Sequence, residues 1–417
     1  MSNAGEILAA RERRRNIVTG ISMKDGAVTV RANIPGPDKG IAESYLIVRH
    51  FASIMADVIG AKPVLLDGAD GPAVIFDSEP EGIKRIAVEL EEKHEIGRFV
   101  DIDVFGKNCD KSVSRGYMRK CYICGQPAFV CSRNKTHPTE RLLTVLRSYT
   151  RSYFSKKVAQ CVKEGLMDEL NLENKFGLVT PTSRGSHKDL NYDVMQYAQS
   201  AIIPYLTEMF FIGMDANEPG QIMERIRGKG ISAEKAMYAA TNGANAYKGF
   251  IFVGGVLLSA AGYTLGRASG NVFANVEKIC ADILGDFEKY PDSFGAQAYK
   301  TMGVTGVRGH AIAGFPVVEK AMKMIEDDES SKNLLKTLAY VVGEIDDTVL
   351  LKRSGDVETY RRYKELISTV STDDDKAVSA LTDDCVAHNI SIGGSADVLA
   401  AAIMMKKLSK LFYCDFS

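Results

Sequence analysis

The chain changes its hydrophobic rhythm near residue 140. Ahead of that point two periods are mixed. Ala27–Ala32 alternates like a strand, and Pro63–Leu66 and Pro72–Phe76 are short apolar runs around the turn Asp67–Gly68–Ala69–Asp70–Gly71, so three short strands are predicted. Ile41–Ile59 repeats its apolar residues at helical spacing, and Glu81–Glu92 reads as a charged helix. Gly97–Phe105 alternates again, with Asp101 and Asp103 set between Val100, Ile102 and Val104, and Lys111–Arg115 is placed to pair with it. Helices interleaved with short strands predict an α/β domain with a mixed sheet. Beyond His137 the strand patterns vanish. Thr139–Cys161 is amphipathic, and helical runs follow, among them Tyr192–Gly213, Ala246–Gly262, Asn333–Leu351 and Ala396–Phe412. The pattern predicts an α/β domain over 1–140 and an all-helical domain over 141–417.

Length agrees, since 417 residues exceed one typical core. Hydrophobic residues make up 45%, charged residues 25%, and the net charge is −1. That balance is globular and lacks the basic excess of a nucleic-acid binder. The run Arg11–Arg15 reads as an exposed helix face. The opening residues carry no basic flank followed by an apolar run, so no leader is expected. The longest apolar stretch, Gly249–Gly262, is too short to cross a bilayer and reads as a buried helix. Eight cysteines in a chain of this size are not a disulfide framework, which points to a reducing, cytoplasmic setting.

Candidate chemistry concentrates in residues 97–137. Side chains at i and i+2 of a strand face the same way, so Asp101 and Asp103 emerge side by side, roughly 6.5 Å apart along the backbone. Two hard oxygen donors there can share a Mg²⁺ that also holds a polyphosphate. Two solvated carboxylates on a strand edge are the alternative. Gly97 and Arg98 just upstream can present a phosphate-binding guanidinium. Glu89 and His94, on the preceding helix and at its end, are candidates for a third acid and a base. Cys121, Cys124, Cys131 and His137 have four-ligand spacing suited to tetrahedral Zn²⁺, with buried free thiols as the alternative. Arg115, Arg119, Lys120, Arg133 and Lys135 interleave with them, and contact phosphates or an acidic partner, or are solvated.

The second domain carries polar, Gly-rich segments among its helices. Gly185–Asp189 includes His187 and Asp189 ahead of a helix, where unpaired N–H groups attract anions. Asn245 and Lys248 head the most apolar helix, and the lysine there takes an anionic partner or snorkels. Thr305–His310 offers Arg308. Asp346 and Asp347 sit inside an apolar helical run and suggest a metal or ribose site. Asn389–Asp397 places Gly393 and Gly394 as a phosphate-sized nest, Ser395 as an N-cap and Asp397 behind it. Together they suggest a polyanionic nucleotide pocket.

These residues also carry resemblances. Pro35–Gly36–Pro37, Val88–Glu91, His94, Gly97–Arg98, Asp101–Val104, Ser114–Arg115, Cys121, Cys124, Cys131, Arg133 and His137 resemble the apo-citrate lyase phosphoribosyl-dephospho-CoA transferase family over about Ile7–Leu146. That implies a nucleotidyltransferase-like fold. It also implies transfer of a phosphoribosyl-dephospho-CoA group from a triphosphate donor to a serine of the citrate lyase acyl carrier protein, releasing pyrophosphate. Gly177–Val179, Gly185–Asp189, Asn245, Lys248–Gly249, Ile251–Phe252, Gly303, Thr305–Gly306, Arg308–Gly309, Asp347–Thr348, Asn389, Ser391 and Gly393–Asp397 resemble the triphosphoribosyl-dephospho-CoA synthase family over about Thr144–Leu411. That implies that the ribose 2′-hydroxyl of dephospho-CoA attacks C1 of the ATP ribose and expels adenine, making the donor that the first domain uses.

Five positions depart from the second family's pattern: Thr180 and His310 stand where it has acids, Ala246–Tyr247 where it has Thr-His, and Ile392 where it has Pro. Two readings therefore stand beside the bifunctional enzyme. One is a transferase whose degenerate second domain only binds the donor; the other is a zinc-stabilised adaptor that docks an acidic carrier protein without catalysis.

Overall fold

A computed structural model describes residues 4–78, 81–109, 111–268, 270–289, 291–292, 294–325 and 328–416. Residues 1–3, part of the stretch read for a leader, lie outside the described residues. The chain forms two compact units: Met1–Lys157 with Leu265–Ser269 and Ser409–Asp415, and Val158–Thr264 with Gly270–Leu408 and Phe416–Ser417.

The first unit contains α1 (Ala4–Ser22), β1 (Ala27–Ala32), α2 (Ala42–Ile59), β2 (Val64–Leu66), β3 (Ala73–Asp77), α3 (Ile83–Lys93), β4 (Val100–Phe105), α4 (Ala128–Arg133) and the first part of α5 (Thr139–Leu170). The strands lie in the order β2-β3-β1-β4, and every pairing is antiparallel. This corrects the mixed sheet expected from the sequence. The helix α3 does connect two strands that run the same way, β3 and β4, but β1 lies between them and opposes both. Gly97–Phe99 is a short 3₁₀ turn, so the last strand starts at Val100 rather than Gly97. Gly97 is required there by close approach, because a Cβ would collide with the carbonyl oxygen of Leu90. Among the described residues, the segment after β4 adds only a bridge from Phe105 to Ser112 and a Val113 N–H to Val104 carbonyl bond of 2.7 Å.

The two faces of this sheet differ. Val28, Val30, Val74, Phe76, Ile102 and Val104 are all buried and point one way by strand alternation. The other face begins apolar, where Ala27 and Ile75 pack on Val18 of α1 with Phe105 beside them. It then turns polar at Thr29, Arg31, Asp101 and Asp103.

The second unit takes up the rest of α5 and continues through α6 (Tyr192–Met214), α7 (Ile222–Ala240), α8 (Lys248–Leu265), α9 (Val272–Cys280), α10 (Gly285–Lys289), α11 (Phe294–Met302) and α12 (Val307–Ile312). It is completed by α13 (Pro316–Met324), α14 (Ser331–Glu344), α15 (Thr348–Ser354), α16 (Val357–Thr369), α17 (Asp375–Ala387) and α18 (Gly393–Leu411). Among the described residues this unit has no strand. The helix α8 is long and apolar enough to cross a membrane by length and composition alone, but 78% of it is buried within the protein, as in a core helix. The single helix expected over Asn333–Leu351 is two helices. The backbone is extended at Ile345, and the Asp347 carboxylate starts α15 by accepting the N–H groups of Val349 at 2.8 Å and Leu350 at 3.1 Å. Aspartate satisfies free N–H groups at a helix start, and this overrides the apolar periodicity.

Candidate functional site

In the first unit, cross-strand register sets Arg31 of β1 directly opposite Asp101 and Thr29 opposite Asp103. The two aspartates therefore share a face with a cation. Asp103 is pushed up from the usual carboxylate range by burial and by its neighbour Asp101. Arg119 reaches Asp101 at 3.4 Å and Glu91 at 2.8 Å. Val18 and Arg14 are one turn apart on α1, so the helix that packs Val18 on the sheet also carries Arg14 inward. There it forms an ion pair with buried Asp70, which Arg31 approaches at 4.0 Å. The exposed-face reading of the Arg11–Arg15 run is thus wrong for Arg14, whose side chain is only 13% exposed. Burial, then Arg31 and Arg11, lowers Arg14 to about 10. Burial also lowers Arg31, and it lowers Lys39 with help from Arg11 and Arg31. Several cations thus crowd one polar face around three carboxylates, an arrangement suited to a polyanion held with a divalent metal.

Sequence reasoning missed Arg14, Arg31, Lys39, Asp70 and Glu91. A signal existed for Arg31, which alternates in phase with Thr29. For Arg14 it lay in the spacing to Val18. Glu89 does not join the site: it lies on the outer side of α3, 54% exposed and paired with Lys93 at 2.8 Å. Two residues along a helix is more than half a turn, so Glu91 faces the sheet instead. Its carboxylate accepts the N–H of Ile102 at 2.7 Å and pairs with Arg115 and Arg119. His94 is likewise held elsewhere. Its Nδ1 accepts the N–H of Ile96, and its Nε2 meets the Tyr153 hydroxyl at 3.1 Å; that hydroxyl also meets His50 Nε2 at 2.9 Å. Burial lowers His94, and lowers His50 to about 4. Arg98 donates to the carbonyl of Lys120, beside a cavity rather than on the aspartate face.

The cysteine cluster closes up as expected. The donor atoms of Cys121, Cys124, Cys131 and His137 lie within 4.8 Å of one another. Cys124 Sγ is 3.4 Å from Cys131 Sγ and 3.2 Å from His137 Nε2. Residues 121–125 form a tight turn: the Ile123 N–H approaches Cys121 Sγ at 3.5 Å, and the Gly125 N–H bonds the Cys121 carbonyl at 3.0 Å. Cys131 comes from α4 and His137 from the turn before α5. Three sulfurs and one imidazole at this separation fit a tetrahedral ion, whose bonds run about 2.0–2.3 Å.

In the second unit the Gly-rich segments converge, but their polar groups largely bind one another. Gly185 has a positive φ of 57°, and a Cβ there would collide with the carbonyls of Gly177 and Leu178. Its neighbour Ser186 donates to the Ile390 carbonyl at 2.5 Å. His187 contacts Ser391 Oγ and Arg353, each at 3.2 Å, and burial with Arg353 lowers it to about 4. Asp189 is exposed. Asp347 is 2% exposed. Besides starting α15, it accepts the N–H of Gly394 at 3.3 Å and both the N–H and hydroxyl of Ser395 at 2.8 Å. The nest expected to take a phosphate at Gly393–Gly394–Ser395 is thus filled by the protein's own carboxylate. Asp346 faces Tyr360 at 3.4 Å and Lys364 at 3.5 Å instead.

Asp397 accepts the N–H of Phe250 and is raised well above the carboxylate range by burial and then by Asp347 and Glu169. Glu169 is itself buried in a 2.8 Å pair with Lys175. Asn245 accepts the N–H of Lys248 at 3.2 Å, and Lys248 pairs with Glu234 at 2.9 Å on a half-exposed surface. Glu234 also acts on Arg308, which lies over the rings of Phe287 and Phe252 at 5.2 and 5.7 Å. Of the departing positions, Tyr247 is buried with its hydroxyl accepting from Gln199 at 2.8 Å, Ile392 is fully buried, and Thr180 braces its own turn through Thr182 and Ser183. Burial lowers His310, which faces Asp346.

Comparison with known proteins follows the same division. The family described as ATP:dephospho-CoA triphosphoribosyl transferase matches residues 155–415. That described as apo-citrate lyase phosphoribosyl-dephospho-CoA transferase matches residues 3–153. Protein CitXG of Leuconostoc mesenteroides subsp. cremoris is 28% identical over 91% of both chains. Protein CitXG of Haemophilus influenzae is 27% identical over 95% of this chain and 94% of its own. A probable 2-(5''-triphosphoribosyl)-3'-dephosphocoenzyme-A synthase of Lactiplantibacillus plantarum is 32% identical over 60% of this chain and 96% of its own.

Proposed function

We propose, for a chain that belongs to the ATP:dephospho-CoA triphosphoribosyl transferase family and carries an apo-citrate lyase phosphoribosyl-dephospho-CoA transferase part ahead of it, that one polypeptide both makes and attaches the citrate lyase prosthetic group. The observation that carries this is the tandem match in one order, shared over nearly the whole length with relatives of the same composite kind. In the second unit, the 2′-oxygen of dephospho-CoA bonds to C1 of the ATP ribose, the glycosidic bond to adenine breaks, and adenine leaves with the proton. In the first unit, the serine oxygen of the acyl carrier protein bonds to the α-phosphorus of the product's triphosphate, the bond from that phosphorus to the oxygen bridging it to the β-phosphate breaks, and pyrophosphate leaves with the serine proton. The enzyme works in the cytoplasm on nucleotides and a carrier protein, without nucleic acid or membrane.

In the first unit Asp101 and Asp103 would hold Mg²⁺, which when bound neutralises charge on the triphosphate. Arg14, Arg31 and Lys39 orient the phosphates and attract the leaving pyrophosphate. Asp70 and Glu91 fix Arg14, Arg115 and Arg119 in place. This polar face supports a nucleotidyltransferase-like site. Cys121, Cys124, Cys131 and His137 would hold a structural Zn²⁺ that braces the loop carrying Arg115 and Arg119. In the second unit His187, Arg353, Lys248 and Arg308 are the polyphosphate contacts, and Asp397 packs against Gly249 beside Lys248.

The test is to incubate the chain with ATP and dephospho-CoA, assay free adenine, then add the carrier protein and measure its mass gain with pyrophosphate release. A second reading, a donor-binding second unit without synthase activity, draws on buried Tyr247 and on the engagement of Asp347. Carrier labelling from supplied donor with no adenine release would select it. Metal analysis checks the cluster: about one zinc per chain is expected, lost in Cys121→Ser, and a zinc-free native protein would reject it.

A further inference from the structure

We propose that a cavity beside the cysteine cluster holds the purine ring of the donor's dephospho-CoA part. This rests on the transferase reading of the first unit and adds a subsite to it. The cavity is about 360 Å³, within the range of small-ligand pockets, roughly 300–1,000 Å³. Its walls include Phe99, Tyr122 and Tyr149, with Arg98 and Lys120 among its lining and Glu95 paired outward to Lys156 at 2.9 Å.

The rings meet at angles, Phe99 to Tyr122 at 5.2 Å and 75° and Phe99 to Tyr149 at 6.2 Å and 56°. They form an angular aromatic wall that can bind a flat heterocycle by face and edge. Tyr122 is tethered by its hydroxyl to the Leu142 carbonyl at 3.3 Å. Tyr149 is 58% exposed on α5, a large aromatic left mostly open to solvent. The cations suit the diphosphate of the same nucleotide.

Position agrees with the donor's connectivity. Phe99 is two residues before Asp101, and Lys120 follows Arg119, which touches Asp101 at 3.4 Å. The cavity lining is thus joined to the aspartate face through two chain segments. In the donor, the purine sits on the ribose whose 2′-oxygen carries the triphosphoribosyl arm, so base and triphosphate are separated by two sugars. A base in this cavity and a triphosphate on the Arg14–Arg31–Asp101–Asp103 face use both.

The test is photolabelling of the full chain with an 8-azidoadenine analogue of dephospho-CoA, followed by peptide mapping. Label is expected on peptides containing Tyr122 or Tyr149, protected by unlabelled dephospho-CoA. Tyr149→Ala should lose it and raise the KM for donor about tenfold at unchanged kcat, the scale of one lost base–aromatic stack. Tyr149→Phe should keep both. Label confined to residues 158–408, or a Tyr149→Ala variant with native KM, would overturn the subsite. Label in the cavity without any carrier modification by the native chain would keep the subsite and reject the transferase instead.

Discussion

The two polar centres differ in what their carboxylates are already doing. In the second unit Asp347 accepts five hydrogen bonds and ties the starts of α15 and α18 together. In the first unit Asp101 and Asp103 stand beside each other and beside cations, with Asp101 paired to Arg119 at 3.4 Å and Asp103 bonded to the Ser112 side chain. Both pairs of acids look alike in the sequence, Asp-x-Asp in a strand and Asp-Asp in a helical run. One retains capacity for a ligand, and the other is a structural clamp. An acid whose lone pairs are all engaged at ideal distance holds the fold, and one facing uncompensated charge is available for chemistry.

Substitution separates the two most sharply. Asp101→Asn with Asp103→Asn should lower carrier labelling by on the order of 10³-fold, with the urea midpoint near native because neither carboxylate holds an element in place. A variant that labels the carrier normally would reject the metal role. Asp347→Asn should do the reverse. Losing charge-assisted bonds in a buried clamp should cost about 3 kcal/mol in urea unfolding, and adenine release should fall only as far as folding does. A stable but inactive Asp347→Asn would make Asp347 a ligand after all.

Acid tests the clamp from another side. His187 titrates at about 4 in the fold against an ordinary 6.5. Between those values the unfolded chain binds the extra proton at this residue, so the His187 contribution to stability falls as pH drops from about 6.5 to 4 and is flat below. Discounted for partial exposure, the loss is about 2 kcal/mol. Denaturant melts across that window should show it, and His187→Asn should reduce the slope, leaving the part due to His50. The smallest effect belongs to Lys248→Ala. Its half-exposed pair with Glu234 should contribute under about 0.5 kcal/mol. A tenfold loss of adenine release at native stability would therefore report a substrate contact, and native activity would remove Lys248 from the site.

Much of this was legible before folding. The alternation at Val100–Phe105 placed Asp101 and Asp103 on one face, because strand period is fixed by backbone geometry. The cysteine and histidine spacing brought four donors together for the same local reason. The loss of strand patterns after His137 marked where the long helices begin, and α8 was recognised as buried. Side chains whose role depends on which partner arrives were not legible. Glu91 rather than Glu89 supports the site because helix phase against the sheet decides which acid turns inward. Arg14 leaves solvent because Val18 docks α1, and Arg31 meets Asp101 because β1 is interposed between β3 and β4. The Gly393–Gly394–Ser395 nest is closed by Asp347, 46 to 48 residues earlier, a pairing no local pattern encodes. Local covalent geometry fixes spacing and period, so sequence alone determined which groups could act together. Which of them retain capacity to act was decided by packing, since only tertiary contact determines how many partners a buried charge already has.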